Sequence, residues 1–411
     1  MQINPLKKSA VSKLSLLFAT VILIVSCNKD LAEPTPIIHP DANAVNTSLG
    51  SVISADPDYS FYKAAATRVG ALTMLNDSSK RFTLLLPNNN AFIASGITSV
   101  AMIGAMPITN IGGIVQYSMI PGQQYLSTDI PASFPNVQLP TTLTIGVLPG
   151  TTVPLKMSIF LSKRDNGLWA NNIPILTPDL KYRNGVIHLV AGIVAPPSRV
   201  LKAAMYSNPD LTYFKAAVAR ADSGASGLNK LDSLLGYGVT NMTILAPNDA
   251  AFKVLIFGSI YGYLTSQGMD PATAAATATA LAASPDVFSN PALFSVMTAA
   301  TVKGILAYHF LATPNPVTGA YQPNIRAFSN NFSTTPAFYK TLVNSGVAIH
   351  PGVMAQATFT GPFVSSLQFT GLGTFPPGGA PYSDAAATTV SKDNHAVNGV
   401  YHVIDKVLLP Q

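Results

Sequence analysis

Six histidines are the side chains of this sequence best suited to moving protons or holding a metal near neutral pH: His39, His188, His309, His350, His395 and His402. A zinc or iron site would need a His-x-His, His-Glu-x-x-His or Cys-His cluster, and none occurs; His395 and His402 stand seven apart across a turn. The 18 Asp and Glu residues scattered through 411 positions include no spacing that selects a carboxylate pair of the kind glycoside hydrolysis uses. No Gly-x-Ser-x-Gly elbow and no Gly-x-x-x-x-Gly-Lys-Ser/Thr phosphate loop is present. No catalytic residue, metal or cofactor is therefore expected, and the chain does not read as an enzyme.

Cys27, the single cysteine, carries a different chemistry. Lys7, Lys8 and Lys13 precede an apolar run from Leu14 to Val25, which is too short to span a bilayer but suits the h-region of a secretory signal. Ile24-Val25-Ser26-Cys27 resembles a bacterial lipobox, in which a peptidase cuts before the cysteine and lipid is attached to it. Residues 1–26 then form a signal peptide, whose removal takes away three lysines and no acid and lowers the formal charge from +6 to +3. A lone cysteine leaves no internal disulfide. Residues 27–49 read as a proline-bearing tether, and Lys29-Asp30 is similar to surface-export signals of some Gram-negative lipoproteins. The expected location is the outer membrane or cell surface. With charged residues only 10% of the chain and no Lys/Arg run, no nucleic-acid partner is expected.

The elements that would position any site occur twice. Phe82-Thr-Leu-Leu-Leu-Pro87-Asn88-Asn89-Asn90-Ala91-Phe92 returns as Met242-Thr-Ile-Leu-Ala-Pro247-Asn248-Asp249-Ala250-Ala251-Phe252, each a short apolar strand stopped by proline, then an Asn cap opening a helix that buries its phenylalanine. Upstream, Asp56-Pro57-Asp58 and Asn208-Pro209-Asp210 mark helix starts. Downstream, Asn184-Gly185-Val-Ile-His188 answers Asn398-Gly399-Val-Tyr-His402. Three ordered motifs repeated once imply a tandem duplication. His188 and His402 occupy equivalent strand positions, which suits a shared hydrogen-bonding role near each core.

An apolar run with Pro-Asn-Asp-x-Ala-Phe, then Tyr-His, then Asn-Gly-x-x-His-x-Ile resembles fasciclin-like domains, and roughly residues 50–411 look like two of them. The resemblance implies an α+β fold in which each domain has a compact β-sandwich-like core wrapped by helices, domain 1 over 50–198 and domain 2 over 199–411. It also implies a non-catalytic adhesion or ligand-binding module, with a protein, matrix or polysaccharide ligand. A spacer that projects a partner from the membrane is the competing reading; a hydrolase is a third that no spacing favours. In the family the Tyr-His region has been linked to receptor contact and also packs the core; the core-packing reading of Tyr308 and His309 is the stronger, contact is the alternative, and the first copy has Tyr117-Ser118 there.

Within the first copy, Phe61, Ala65 and Val69 fall on one helix face, Ile111–Met119 reads as a helix, and Val137–Leu148, Val153–Leu161, Leu168–Leu176 and Gly185–Val194 read as strands. The second copy is longer in two places. Asp270-Pro271 caps an Ala/Thr-rich accessory helix through Ala283, and Asn290-Pro291 would cap another running to Phe310. Gly371–Tyr382 reads as an exposed loop bearing Phe375 and Tyr382, which are candidate contact residues because additions confined to one copy are where recognition is expected. Lipidation is directly testable. Cys27→Ser should move the protein from the membrane to the soluble fraction, and the wild-type N-terminal peptide should begin at a lipid-bearing Cys27; an intact Met1 would remove the reading.

Overall fold

The computed structural model describes residues 46–148, 150–373 and 386–410. The segment read as a signal peptide, Cys27, most of the segment read as a tether, His39, and the loop residues Phe375 and Tyr382 lie outside the described residues.

Seven strands form one sheet in the first unit: β1 (Phe82–Pro87), β2 (Met119–Pro121), β3 (Val137–Val147), β4 (Pro154–Arg164), β5 (Gly167–Ala170), β6 (Ile173–Tyr182) and β7 (Gly185–Val190), in the order β2-β1-β7-β6-β5-β4-β3. All neighbours run antiparallel except β1 and β7, which pair in parallel from Phe82 opposite Gly185 to Pro87 opposite Val190. Every residue of β1 is buried. Phe82, Leu84 and Leu86 share a core with the helices Leu49–Ala55, Ser60–Arg68 and Ile108–Tyr117, whereas Leu85 enters a second core with Leu139, Ile159 and Leu161 of the same sheet. Helices thus cover one face while the sheet curls over the other, the α+β arrangement expected of this sequence.

The second unit repeats the plan. After β8 (Met242–Pro247) and a small ladder of β9 (Thr313–Pro314) and β10 (Tyr321–Gln322), the chain forms β11 (Ala337–Tyr339), β12 (Val353–Thr360), β13 (Phe363–Thr370), β14 (Ala387–Ala396) and β15 (Gly399–Ile404), ordered β11-β12-β13-β14-β15-β8. β8 and β15 are parallel, with Met242 opposite Gly399. Met242, Ile244 and Ala246 face the helical core, and Leu245 the sheet core with Val353, Ala355 and Leu367.

Several local readings need correction. Asp56 caps a single 3-10 turn, Pro57–Tyr59, before the helix Ser60–Arg68, and that helix buries Tyr62, Ala65 and Ala66 rather than the Phe61/Ala65/Val69 face. Asn171, at φ 55°, breaks Leu168–Leu176 into β5 and β6. Asn290-Pro291 opens only the turn Pro291–Leu293, since the Asn side chain closes one turn by accepting from the Ala292 N–H, and the helix Ala299–Tyr308 starts at Thr298.

The accessory helix forms as read, over Pro271–Ala282 behind Asp270, but it is no surface ornament. Ala274, Ala278 and Ala282 make a buried stripe that lets it pack closely on the helix Asp249–Ser266. The Tyr213 hydroxyl donates to the Ala282 carbonyl at 2.7 Å, and Phe288 packs edge-on against Phe252 at 5.9 Å. In the first unit Phe92 gets the same edge contact at 5.9 Å from Phe61, a residue of the shared fold. The insertion has therefore taken over a core position. Phe92→Ala and Phe252→Ala should each lose roughly 3–5 kcal/mol of stability, the range for a buried phenylalanine. Phe252→Ala and Phe288→Ala should couple by about 0.5–1.5 kcal/mol in a double-mutant cycle followed by urea unfolding, and strict additivity would contradict the shared core.

Candidate functional site

The duplicated motifs spend their polar groups inside each unit. Asn88 and Asn248 cap the following helices by accepting from the Ala91 and Ala251 N–H groups at 3.0 and 2.8 Å. Asn184 accepts from the Leu49 N–H and donates to the Leu75 and Asp77 carbonyls; Asn398 accepts from the Leu201 N–H and donates to those of Leu235 and Tyr237. A Cβ on Gly185 would sit 2.2 Å from the Phe82 carbonyl oxygen and one on Gly399 2.5 Å from that of Met242, so the parallel pairing demands glycine at both places.

The histidines follow the same rule. His188 accepts at Nδ1 from the Asp179 N–H and donates from Nε2 to the Tyr125 carbonyl; His402 accepts from the Asp393 N–H and donates to the Ala327 carbonyl. The partners fix one neutral tautomer in both, and burial pushes both pKa values below 6.5. His395 accepts from the Arg326 guanidinium at 3.0 Å, and burial with that neighbouring charge holds it well below the usual imidazole range. His350 accepts from the Gly352 N–H.

Tyr308 and His309, the pair implicated by resemblance, have no accessible surface. The Tyr308 hydroxyl donates to the Gly352 carbonyl at 2.7 Å, and burial pushes its pKa up to about 12. His309 donates from Nδ1 to the Ile305 carbonyl at 2.8 Å and accepts at Nε2 from the Leu408 N–H at 2.9 Å. Both side chains are enclosed and bonded, so they hold the end of a helix against Gly352 and the C-terminal segment and present nothing to a ligand. In the first unit Ser118 fills the corresponding place and bonds the Tyr62 hydroxyl at 2.8 Å.

What sequence spacing did not reveal is the junction of the two units. Asn136 donates to the Arg326 carbonyl and the Asn331 side chain, and accepts from Arg164. Asn330 and Asn331 donate to the Ser162 hydroxyl, and the Trp169 indole N–H donates to the Pro362 carbonyl at 3.0 Å. Ring pairs Phe134–Tyr339, Phe160–Phe328 and Trp169–Phe359 lie 6.0, 6.3 and 6.0 Å apart. The buried Arg326 lies over Phe160 at 4.6 Å, and desolvation lowers its pKa to about 10. Beside this joint a pocket of about 320 Å³, lined by Phe134, Arg164, Asp165, Asn331, Tyr339 and Phe359 among others, adjoins a groove of about 720 Å³. The Asp165-Asn166-Gly167 turn was readable as a hairpin tip, but nothing local shows that it reaches the other unit. A second hollow of about 600 Å³ lies between the helix Thr212–Ala221 and the insertion, where Arg220 stacks on Phe294 at 3.6 Å. Of the loop Gly371–Tyr382, only 371–373 are described, and the Gly373 N–H bonds the Leu409 carbonyl. Among the described residues no three His, Cys, Asp or Glu side chains converge as a metal site would require.

Residues 57–196 match the Fasciclin domain family model. A solved FAS1 domain pair from the insect cell adhesion molecule Fasciclin I is similar at 13% identity, over 85% of this chain and 95% of that one, with a TM-score of 0.30. No curated protein matches the chain.

Burial lowers the His309 pKa to about 4. An unfolded chain takes up this proton near pH 6.5, so the stability held by the neutral ring is complete above that pH and declines below it until the folded state also protonates near pH 4. Between pH 7 and pH 5 the expected loss is about 2 kcal/mol for this residue alone, with His188 and His402 sloping the same way. Urea unfolding at the two pH values should show a smaller difference in His309→Gln than in the parent; an equal difference would remove His309 as a source.

Proposed function

We propose that this chain, a tandem of fasciclin-like domains, is a non-catalytic adhesion or ligand-binding module held at the cell surface by lipid on Cys27. Fasciclin domains are generally adhesion-related and typically extracellular or on the cell surface, which supports the coarse part of this reading. One observation supports the ligand-binding part. The motif residues of both units turn their hydrogen bonds inward, whereas unoccupied polar side chains meet a cavity where the units join. A binding site made at that joint fits a protein that needs both copies. The lipobox resemblance and the tether behind it support anchoring to a Gram-negative outer membrane with the two units held clear of the bilayer.

The spacer reading draws on the same joint, because a buried, hydrogen-bonded contact between units would also hold a partner at a set distance. The two part on direct contact. Beads coated with the purified protein should adhere to cell, matrix or polysaccharide surfaces, and soluble protein should compete for that adhesion. Beads inert on all three kinds of surface would favour the spacer.

A further inference from the structure

We infer that the cleft between the two units binds an uncharged oligosaccharide, an inference that rests on the ligand-binding reading above and names the ligand class. The inner pocket and the outer groove share Asn166, Thr334 and Phe359, so they form one depression. Volumes of about 320 and 720 Å³ fall in the range of small-ligand sites. Joined end to end, they offer a course for a chain of linked rings. Each unit lends a hairpin tip to the walls, Arg164–Gly167 from the first and Phe359–Phe363 from the second, held together by the Trp169 to Pro362 hydrogen bond, and the segments around Phe134 and Thr334 complete them. The cleft exists only in the tandem.

Charge excludes the main alternatives. Arg164 and Asp165 are the charged residues of the lining and carry opposite signs. Arg164 is already engaged, donating to the Asn136 side chain and the Lys163 carbonyl and lying 4.7 Å over Phe134. A polyanion would meet Asp165 and a polycation Arg164, with no surplus charge to reward either.

Polar capacity then selects hydroxyls. The Asp165 carboxylate, the Asn166 amide and the Ser133 and Thr334 hydroxyls make no side-chain hydrogen bond to any described residue, yet all four line the cleft. A hydrocarbon-like ligand would strip water from these groups and leave them unpaired, a cost of about 1–3 kcal/mol each. A carboxylate beside an amide instead supplies two planar groups that accept from and donate to neighbouring hydroxyls. Between them stand Tyr339 and Phe359, rings whose faces suit the C–H surface of a sugar. Phe359 packs on Trp169 and Tyr339 on Phe332 at 5.0 Å, so both rings are set in place before any ligand arrives.

The test is an array of neutral glucans, mannans, xylans and galactans with uronate and sulfated glycans as charged controls, probed with the purified full chain, then titration calorimetry with the retained oligosaccharide. At least one neutral glycan should be retained. The D165A/N166A double variant, altered only at an exposed turn, should bind it at least tenfold more weakly with an unchanged unfolding midpoint; Phe359→Ala should also weaken binding, though it touches the joint. Retention of no neutral glycan, retention of charged ones alone, or undiminished binding by the double variant would overturn the inference. If coated beads adhere while the neutral array stays silent, the adhesion reading survives and this one fails; if both are silent, both fail.

Discussion

Each unit depends on one strand buried on both faces. β1 and β8 have no exposed residue, so apolar material must cover them from two sides at once. Helices supply one cover and the curled remainder of the sheet supplies the other. The polar exception inside each strand is satisfied rather than tolerated: Thr83 donates to the Gln123 carbonyl and accepts from the Tyr125 N–H, and Thr243 donates to the Ile325 carbonyl and accepts from the Ala327 N–H. Because the final strand of each unit pairs in parallel beside this one, its chain must cross the whole unit before returning. The Asn-Gly pair at the return ties the first helix, the turn that leads into the buried strand and the last strand to one point.

Duplication supplies an internal comparison that separates the shared fold from what each copy adds. Polar residues buried in the shared motifs keep their bonds in both copies, as with Asn88 and Asn248, His188 and His402, or Asp179 and Asp393, which hold the Ser127 and Ser329 backbones. Nearer the surface the neighbourhood has been rebuilt, even around a residue both copies share. Lys63 donates to the Ser54 carbonyl, whereas Lys215 lies 5.5 Å from the ring of Tyr206. Phe92 rests on a ring of its own fold and Phe252 on one from the insertion. Length added to a surface costs little, but this insertion contributes Val287, Phe288 and Leu293 to the main core, so it has become part of what folds.

At the junction the chemistry is mixed in a telling way. Aromatic rings exclude water, and asparagine amides, a serine hydroxyl and Arg164 hydrogen-bond among them, while Arg326 Nε and Asn330 Oδ1 are buried with no hydrogen-bond partner among the described residues. Hydrogen-bonded networks of this kind fix a relative orientation more sharply than apolar contact, since a small slip breaks several bonds at once. The adjoining cleft inherits its shape from that fit, and the polar residues at its rim face solvent instead of completing the joint.

The sequence by itself determined the strand-Pro-Asn-helix elements and the cap of the accessory helix, because each rests on residues within one turn or one strand of each other, and the duplication and the matched structural role of His188 and His402, because a motif written twice is visible without knowing what either copy touches. Strand and helix limits slipped where the deciding feature was a single backbone angle, as at Asn171, or a competing cap, as at Thr298. Tertiary structure alone decided that Tyr308 and His309 are sealed in, because what closes over them is Gly352 and Leu408, far along the chain. It alone also made the cleft: Asn136 meets Asn331, and Trp169 meets Pro362, across more than a hundred intervening residues, and no periodicity or motif in either segment records a partner so distant.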